Sequence, residues 1–125
     1  MEYIFGYERL AVYQAARVYV KMIYALSAQF PQKEEFALTL QIRRAAVSIT
    51  SNIAEGGSRT SKKEQAHFME IAYGSLMETF SQLQIAMDIN YITEHQVEEI
   101  IPYLVDVKKK ISALRRSLIA ERHQD

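Results

Sequence analysis

One stretch of sequence, residues 41–56, limits the possible folds of this chain more than any other. Wound as an α-helix at about 100° per residue, it and its flanks present two apolar stripes on roughly opposite sides. The first stripe consists of Leu38, Ile42, Ala45, Ile49 and Ile53, and the second of Phe36, Leu40, Val47 and Ala54. A helix that is apolar on two sides needs a neighbour on each side. The pattern therefore predicts a helix packed inside a larger helical assembly.

A ridge of polar side chains, here called the polar seam, lies between these stripes at spacings of three or four residues. Because partly buried polar groups need partners, one interpretation is structural, with Arg44, Asn52 and Glu55 bonding one another, the third helix or a neighbouring subunit. The alternative is that the seam lines a groove or the lumen of a ring and holds a ligand. The seam comprises Gln41, Arg44, Ser48, Asn52 and Glu55, with Glu78 and Gln82 as candidate partners on the third helix.

Apolar periodicity and turn signals divide the chain into four helices, predicted at about residues 8–28, 36–55, 61–90 and 93–122. No segment alternates as a strand would. Short connections favour antiparallel neighbours, so the predicted fold is an all-α, up-down-up-down antiparallel four-helix bundle. The 125 residues are predicted to form one domain.

Local signals mark where these helices begin and end. Ser61 with Glu64 and Thr93 with Gln96 have capping-box spacing. Gly56 is predicted to end the second helix in the left-handed conformation, and Asn90 to end the third. The fourth helix carries an apolar heptad seam that continues in phase across a proline, so a kink is predicted there rather than a break. That seam consists of Val97, Ile100, Leu104, Val107, Ile111, Leu114 and Leu118.

Residue types that carry catalysis or bind metals are sparse. The chain has no cysteine, which excludes disulfides, thiolate chemistry and cysteine-based zinc sites. His67, His95 and His123 lie far apart and do not form a His-Glu-x-x-His or paired Glu-x-x-His motif. We therefore expect no enzymatic activity, no cofactor and no metal.

Charge is balanced overall but uneven locally. Fifteen basic and fifteen acidic residues give no net charge, which argues against an obligate nucleic-acid-binding protein. Basic residues nevertheless cluster before the third helix and along the last one, where they could contact phosphates; the alternative is a solvated helix surface whose cations suit the helix dipole. The candidate contacts are Arg59, Lys62, Lys63, Lys108, Lys109, Arg115, Arg116 and Arg122.

More apolar surface is present than one four-helix core requires. The second helix has two apolar stripes, and the third has an arc wider than one neighbouring helix pair would cover. Because large exposed apolar faces favour association, the excess predicts a homo-oligomer; the alternative is an unusually thick monomer core. The interface candidates are Phe36, Leu40, Val47, Met69, Tyr73, Met77 and Phe80.

The strings QIRRAAVSI at residues 41–49 and SNIAEG at residues 51–56 resemble the signature of a bacterial four-helix-bundle family encoded by intervening sequences of 23S rRNA genes. LAVYQ at residues 10–14, Phe30-Pro31 and AYGSLME at residues 72–78 resemble its other landmarks. Two departures are Thr50, where the family commonly has proline, and Thr79-Phe80, where a more aliphatic continuation is expected.

This resemblance implies a ring of bundles, typically a homopentamer, without established enzymatic activity. A distant relative, the accessory variability protein of diversity-generating retroelements, shares the bundle and ring and engages a reverse transcriptase and nucleic acid. Fold similarity does not settle function.

The sequence thus predicts a cytoplasmic, non-enzymatic, homo-oligomeric scaffold that binds RNA, DNA or a nucleic-acid-handling protein. The alternative is an accessory subunit that binds only protein. The first residues, 1–10, include charges and no long apolar run, so no signal peptide, membrane anchor or membrane contact is expected.

Overall fold

The computed structural model describes residues 1–124, with side chains described up to residue 121. Within that part of the chain, all regular structure is helical and no strand forms. Every predicted helix is present, with bounds within three residues of those expected. The four helices are α1 (Ala11–Ser27), α2 (Leu38–Gly57), α3 (Lys62–Asp88) and α4 (Glu94–Gln124), and short 3-10 helices span Gly6–Arg9 and Gln32–Glu34.

The helices run alternately up and down around a common core. Ser48 of α2 contacts Ser75 of α3, with 2.8 Å between their hydroxyl oxygens. Gly56, two turns later in α2, lies against Phe68, two turns earlier in α3, so the two helices are antiparallel. The same reversal relates α3 to α4, and α4 to α1, through the contacts Lys62–Glu121, Glu70–Arg115 and Gln29–Gln96.

All four helices contribute to one hydrophobic core. The buried residues include Tyr19 and Ile23 of α1 and Ile42 and Ile49 of α2, and all four belong to the same cluster. Burying an aliphatic side chain of this size contributes roughly 1.5–3 kcal/mol, so the core contacts dominate the stability of the bundle. The predicted heptad seam of α4 is confirmed, because these members are buried in the core: Val97, Ile100, Leu104, Val107, Ile111 and Leu118.

The predicted helix-capping signals of α3 and α4 are confirmed. The Ser61 hydroxyl accepts a hydrogen bond from the Glu64 amide at 3.0 Å. Thr93 and Gln96 bond reciprocally: the Gln96 side chain accepts from the Thr93 amide at 2.9 Å, and the Thr93 hydroxyl accepts from the Gln96 amide at 3.1 Å. Asn90 adopts a φ of 65° just after α3, the left-handed conformation that Asn tolerates well.

Gly56 does not end α2 in the left-handed conformation, and that prediction is wrong. It lies buried within the helix, and no glycine among the described residues has a positive φ. A Cβ at this position would lie 2.8 Å from the Cβ of Phe68. The glycine therefore permits close approach of α2 to the start of α3.

Pro102 lies inside α4, which continues through it. The helix continues because the apolar heptad pattern keeps its phase across the proline, so the apolar residues on either side stay in the core. Their packing offsets the backbone hydrogen bond that a proline removes. The predicted absence of a break is therefore confirmed.

Candidate functional site

The centre of the polar seam is a small hydrogen-bonded cluster between α2 and α3. The Asn52 amide nitrogen donates to the Ser48 hydroxyl at 2.9 Å and to the Ser48 backbone oxygen at 2.7 Å. Ser48 in turn is bonded to Ser75, which is buried. These three half-buried or buried side chains form one connected set of hydrogen bonds, which joins the two helices near their middle.

The other members of the seam do not join this cluster, contrary to the expected network. Glu55 pairs with Arg59 at 2.9 Å, a contact within one helical turn rather than across the bundle. Arg44 is exposed and has no ion-pair partner among the described residues. Gln82 of α3 has its Oε1 buried without a hydrogen-bond partner in the described part of the chain. Gln41 and Glu78 are exposed as well. The seam is therefore one bonded cluster flanked by side chains that do not bond to it.

A cluster that sequence reasoning missed links α1 to α2. The Arg43 Nε donates to the buried Ser27 hydroxyl at 2.8 Å. The guanidinium carbon lies 4.7 Å from the centre of the Tyr24 ring, a cation–π geometry. Arg43 and Arg44 are neighbours in sequence but differ in environment, because the 100° step turns one towards α1 and the other outwards.

A second missed pair crosses the core from α1 to α3. The Tyr19 hydroxyl lies 2.7 Å from Thr79 Oγ1, and both side chains are fully buried. Burial raises the pKa of Tyr19 to about 12, because a phenolate would be desolvated there. The sequence signal was available: Thr79 is the polar residue that departs from the aliphatic continuation expected of the family.

Three of the predicted nucleic-acid contacts are occupied by carboxylates. Arg115 of α4 donates from Nε to Glu70 of α3 at 3.0 Å, and Lys62 lies 3.2 Å from Glu121. The third is Arg59, which bonds Glu55. These pairs are partly exposed, so each adds little stability, but they reduce the positive potential available to a phosphate.

The other predicted contacts divide into two groups. Lys63, Lys108, Lys109 and Arg116 are exposed, and none forms an ion pair with a described residue. Three of these four lie on the solvent side of α4. Arg122 lies outside the residues whose side chains are described. The cationic surface is therefore smaller than the sequence predicted and is centred on Lys108, Lys109 and Arg116.

The predicted interface residues separate by burial. Met69 is 2% exposed and belongs to the core of the single chain, so its assignment to an interface is wrong; the wide apolar arc of α3 extends further into the core than expected. Tyr73, Met77 and Phe80 are half-buried against that core. Leu40 is also half-buried, whereas Val47 and Phe36 are exposed.

Exposed apolar residues are more widespread than the predicted set. Phe36 is 84% exposed and precedes α2 rather than forming part of it, and Val47 of α2 is 41% exposed. Tyr24 of α1 is 40% exposed and lines the same groove as Val47. The exposed apolar residues that the predicted set did not include are Val18, Tyr24, Ile71, Ile85 and Tyr103 on the helices, Ile89 just after α3, and Met1, Tyr3, Ile4 and Phe5 before the first helix.

Open grooves, rather than an enclosed cavity, mark the surface. A groove of about 570 Å³ between α1 and α2 is lined by Tyr24, Leu40, Arg43, Arg44, Val47, Ser48 and Ser51. A second, of about 400 Å³ between α3 and α4, is lined by Glu70, Tyr73, Ile111, Ser112, Arg115 and Arg116. A third, of about 300 Å³, lies at the end of the bundle beside the 3-10 helix Gly6–Arg9, and its lining includes Tyr7, Gly57 and Leu118.

The described histidines lie on the surface. His95 is exposed, with Nε2 2.8 Å from Glu99 on the same helix, and His67 is exposed near Glu70. His123 lies outside the described side chains. In the part of the chain whose residues are described, no three His, Asp or Glu side chains converge as metal ligands would. None of the described helices is both long enough and apolar enough to cross a membrane.

These features define a class of protein: an antiparallel four-helix bundle with open surface grooves and apolar side chains on the outer faces of its helices. A sequence model of the 23S rRNA-intervening sequence protein family matches residues 8–113. The chain belongs to this family, as its helix-two strings predicted.

A solved structure has the same fold. It is the crystal structure of a protein of unknown function from the S23 ribosomal protein family from Bacteroides thetaiotaomicron VPI-5482, 24% identical, with a TM-score of 0.76. The alignment covers 84% of this chain and 95% of that one. No curated protein matches the chain.

Proposed function

We propose that this protein is a non-enzymatic, homo-oligomeric scaffold in the cytoplasm. The observation that carries the proposal is the exposure of Tyr24 on α1 and Val47 on α2, together with that of Phe36 just before α2. Covering apolar surface stabilises an assembly by about 25 cal/mol per Å², and a closed cyclic assembly covers it without leaving a free end. On the family resemblance, the proposed ring has five subunits.

The proposed partner is RNA or DNA, or a protein that handles them. The support is the α4 group Lys108, Lys109 and Arg116, which projects cations into solvent without a carboxylate partner among the described residues. Each phosphate neutralised releases counterions, with a slope of log affinity against log salt of about −0.9 per contact on duplex DNA. Three contacts per subunit give a slope of about −2.7, and a ring multiplies that number.

Binding of mixed-sequence RNA and DNA, measured by fluorescence anisotropy between about 50 and 200 mM salt, tests this proposal. A triple variant is expected to reduce the steepness of the slope of log affinity against log salt by about 2.7 per subunit. It combines Lys108→Gln, Lys109→Gln and Arg116→Gln. The matched control replaces Arg59, Lys62 and Arg115 by Gln, which removes the same charge from residues already paired with carboxylates. The proposal would be contradicted if the two triple variants lost the same amount of affinity for nucleic acid, or if the affinity of the wild-type protein did not change with salt.

A protein-only partner is the second candidate, and the α3–α4 groove favours it. Glu70 and Arg115 form an ion pair there beside Tyr73 and Arg116, so the groove offers charges of both signs and an aromatic ring. Such mixed surfaces suit protein partners. This candidate would be supported by a protein partner whose binding depends little on salt and is abolished by Tyr73→Ser.

A further inference from the structure

The segment before α1 is held in place by hydrogen bonds rather than by burial. The Glu8 carboxylate accepts from the backbone amides of Phe5 and Ile4 at 2.6 and 2.7 Å. These bonds keep the pKa of Glu8 below its ordinary value. The side chains of this segment nevertheless point into solvent, since Ile4 is 73%, Phe5 62% and Tyr3 49% exposed. Apolar side chains that stay outside the core on a fixed backbone form a surface suited to a ligand.

A row of aromatic rings continues from this segment onto α1. The Phe5 and Tyr7 rings are nearly parallel, with 6° between their planes and 6.3 Å between their centres. Tyr7 in turn meets the Tyr13 ring edge to face at 4.9 Å. Tyr7 is also held close to α2, because a Cβ on Gly57 would lie 2.8 Å from the Tyr7 Cβ. The row is therefore anchored to the bundle at Tyr7, and its outer ring, Phe5, is free.

Cations extend this row along α1. The Arg17 guanidinium carbon lies 5.9 Å from the centre of the Tyr13 ring, and Lys21 follows one turn later on the same side of the helix. Both cations are exposed, and neither forms an ion pair with a described residue. Residues 9–33 contain four basic residues and no acidic one, and the Glu8 carboxylate before them is bonded to two amides. The row, here called the aromatic track, comprises Phe5, Tyr7, Tyr13, Arg17 and Lys21.

Rings and unpaired cations in one row match the chemistry of a single-stranded nucleic acid. An unpaired base offers a flat face that stacks on an aromatic ring, and the phosphates beside it offer charges for Arg and Lys. The bases of a duplex are stacked on one another, so a surface of this kind reaches only its phosphates. An apolar protein partner would account for the exposed Phe5, but not for a helix that carries cations and no carboxylate.

We infer that the aromatic track binds a single-stranded nucleic acid, with a base stacked on Phe5 and phosphates held by Arg17 and Lys21. This site rests on the proposed nucleic-acid binding and adds a preference for unpaired strands to the cationic group of α4. A base on the outer face of Phe5 continues the parallel series that Phe5 and Tyr7 begin. The rings of the track are separate from the proposed subunit contact, because Tyr13 precedes Tyr24 by roughly 16 Å along α1.

Fluorescence anisotropy with three matched probes tests this site on the wild-type protein. The probes are a mixed-sequence single strand of about 16 nucleotides, a duplex of the same sequence, and an abasic strand of the same length. The abasic strand keeps the phosphates and lacks the bases. At about 50 mM salt, the single strand is expected to bind about fivefold or more tightly than the abasic strand. Equal affinity for these two strands overturns the inference, and DNA and RNA versions of the single strand show which sugar is preferred.

Phe5→Leu keeps an apolar side chain at this position and removes the ring. It is expected to weaken binding of the single strand about fivefold or more and to leave the duplex and the abasic strand unchanged. Tyr103→Leu is the matched control, because Tyr103 is a 47% exposed ring on α4, outside the track. Both variants should keep the wild-type circular dichroism, since neither side chain belongs to the core. An unchanged affinity in Phe5→Leu, or an equal loss in the control, contradicts the stacked base.

Arg17→Gln combined with Lys21→Gln tests the phosphate contacts of the track. Each contact on a single strand contributes about 0.7 to the slope of log affinity against log salt, so the double variant should make this slope less steep by about 1.4. An unchanged slope contradicts the assignment of these two cations.

Failure of this site and failure of the proposed function give different results. If the wild-type protein binds none of the probes, the proposed nucleic-acid binding is overturned, and the aromatic track with it. If the wild-type protein binds all three probes equally and Phe5→Leu binds like wild type, the proposed function stands and the aromatic track is wrong.

Discussion

The buried hydroxyl pair between α1 and α3 provides the most exact test of the packing. Thr79 has one hydroxyl proton, and it is donated to the Leu76 backbone oxygen at 2.6 Å. The 2.7 Å contact with Tyr19 therefore has the tyrosine as donor and Thr79 Oγ1 as acceptor. The two ends of this bond are consequently not equivalent, and substituting them should have different effects.

Thr79→Val keeps the shape of the side chain but leaves the Tyr19 hydroxyl buried with no acceptor. An unsatisfied buried donor costs about 1–3 kcal/mol. Tyr19→Phe removes the donor, while Thr79 keeps its bond to Leu76, so the expected loss is about 1 kcal/mol. The double variant contains neither hydroxyl and should be less destabilised than Thr79→Val alone, because replacing both partners by apolar groups is close to neutral.

Guanidinium denaturation of the four proteins, at one protein concentration so that association contributes comparably, gives the unfolding free energies. We expect unchanged m-values. We also expect a coupling energy between the two sites of at least about 0.5 kcal/mol, which is typical of residues in contact. Additive effects, or Tyr19→Phe costing more than Thr79→Val, would refute the assigned direction of the bond.

Three further predictions concern pH, the close approach of helices, and the polar seam. The pKa of Tyr19 is raised from 10.0 to about 12. The stability that depends on its neutral form is therefore complete below pH 10.0 and decreases by up to about 1.4 kcal/mol per pH unit between pH 10.0 and about pH 12. Denaturation of Tyr19→Phe over the same pH range should lack this decrease. Gly56→Ala should destabilise by about 1–3 kcal/mol, as a Cβ there lies 2.8 Å from Phe68; an unchanged melting curve would refute this. Asn52→Ala should lower the free energy of unfolding by about 1 kcal/mol, because it breaks the bonds to Ser48. Arg44→Ala should change it by less than about 0.5 kcal/mol. A larger loss for Arg44→Ala than for Asn52→Ala in urea titrations would contradict the separation of Arg44 from the seam cluster.

Much of the fold was predictable because its causes are local. The Thr93–Gln96 box and the left-handed Asn90 depend on residues within one turn, and the heptad seam of α4 depends on a repeating period. These features require no knowledge of the neighbouring helices. Gly56 shows the limit of that reasoning: its local signal resembles a helix end, but its actual role depends on a residue of α3.

The candidate site was less predictable because it depends on how the helices align. Whether Arg115 reaches Glu70, or Lys62 reaches Glu121, follows from the register of α3 against α4, which the sequence pattern leaves open. Met69 was misassigned because a helical wheel gives the width of an apolar arc and not which part of it turns inward. Thr79 stands out in the sequence as a polar residue where the family pattern leads one to expect an aliphatic one. Its role as the hydrogen-bond partner of Tyr19 could be recognised only once α1 was placed against α3.

In the proposed assembly, the apolar side chains on the outer faces of this bundle are covered by further copies of the same chain. Light scattering coupled to size exclusion, at low micromolar concentration and moderate salt, tests it most directly. We expect a single species whose mass is a whole multiple of 14.4 kDa, five-fold if the family resemblance extends to stoichiometry. A species of 14.4 kDa that persists as the concentration is raised would contradict it.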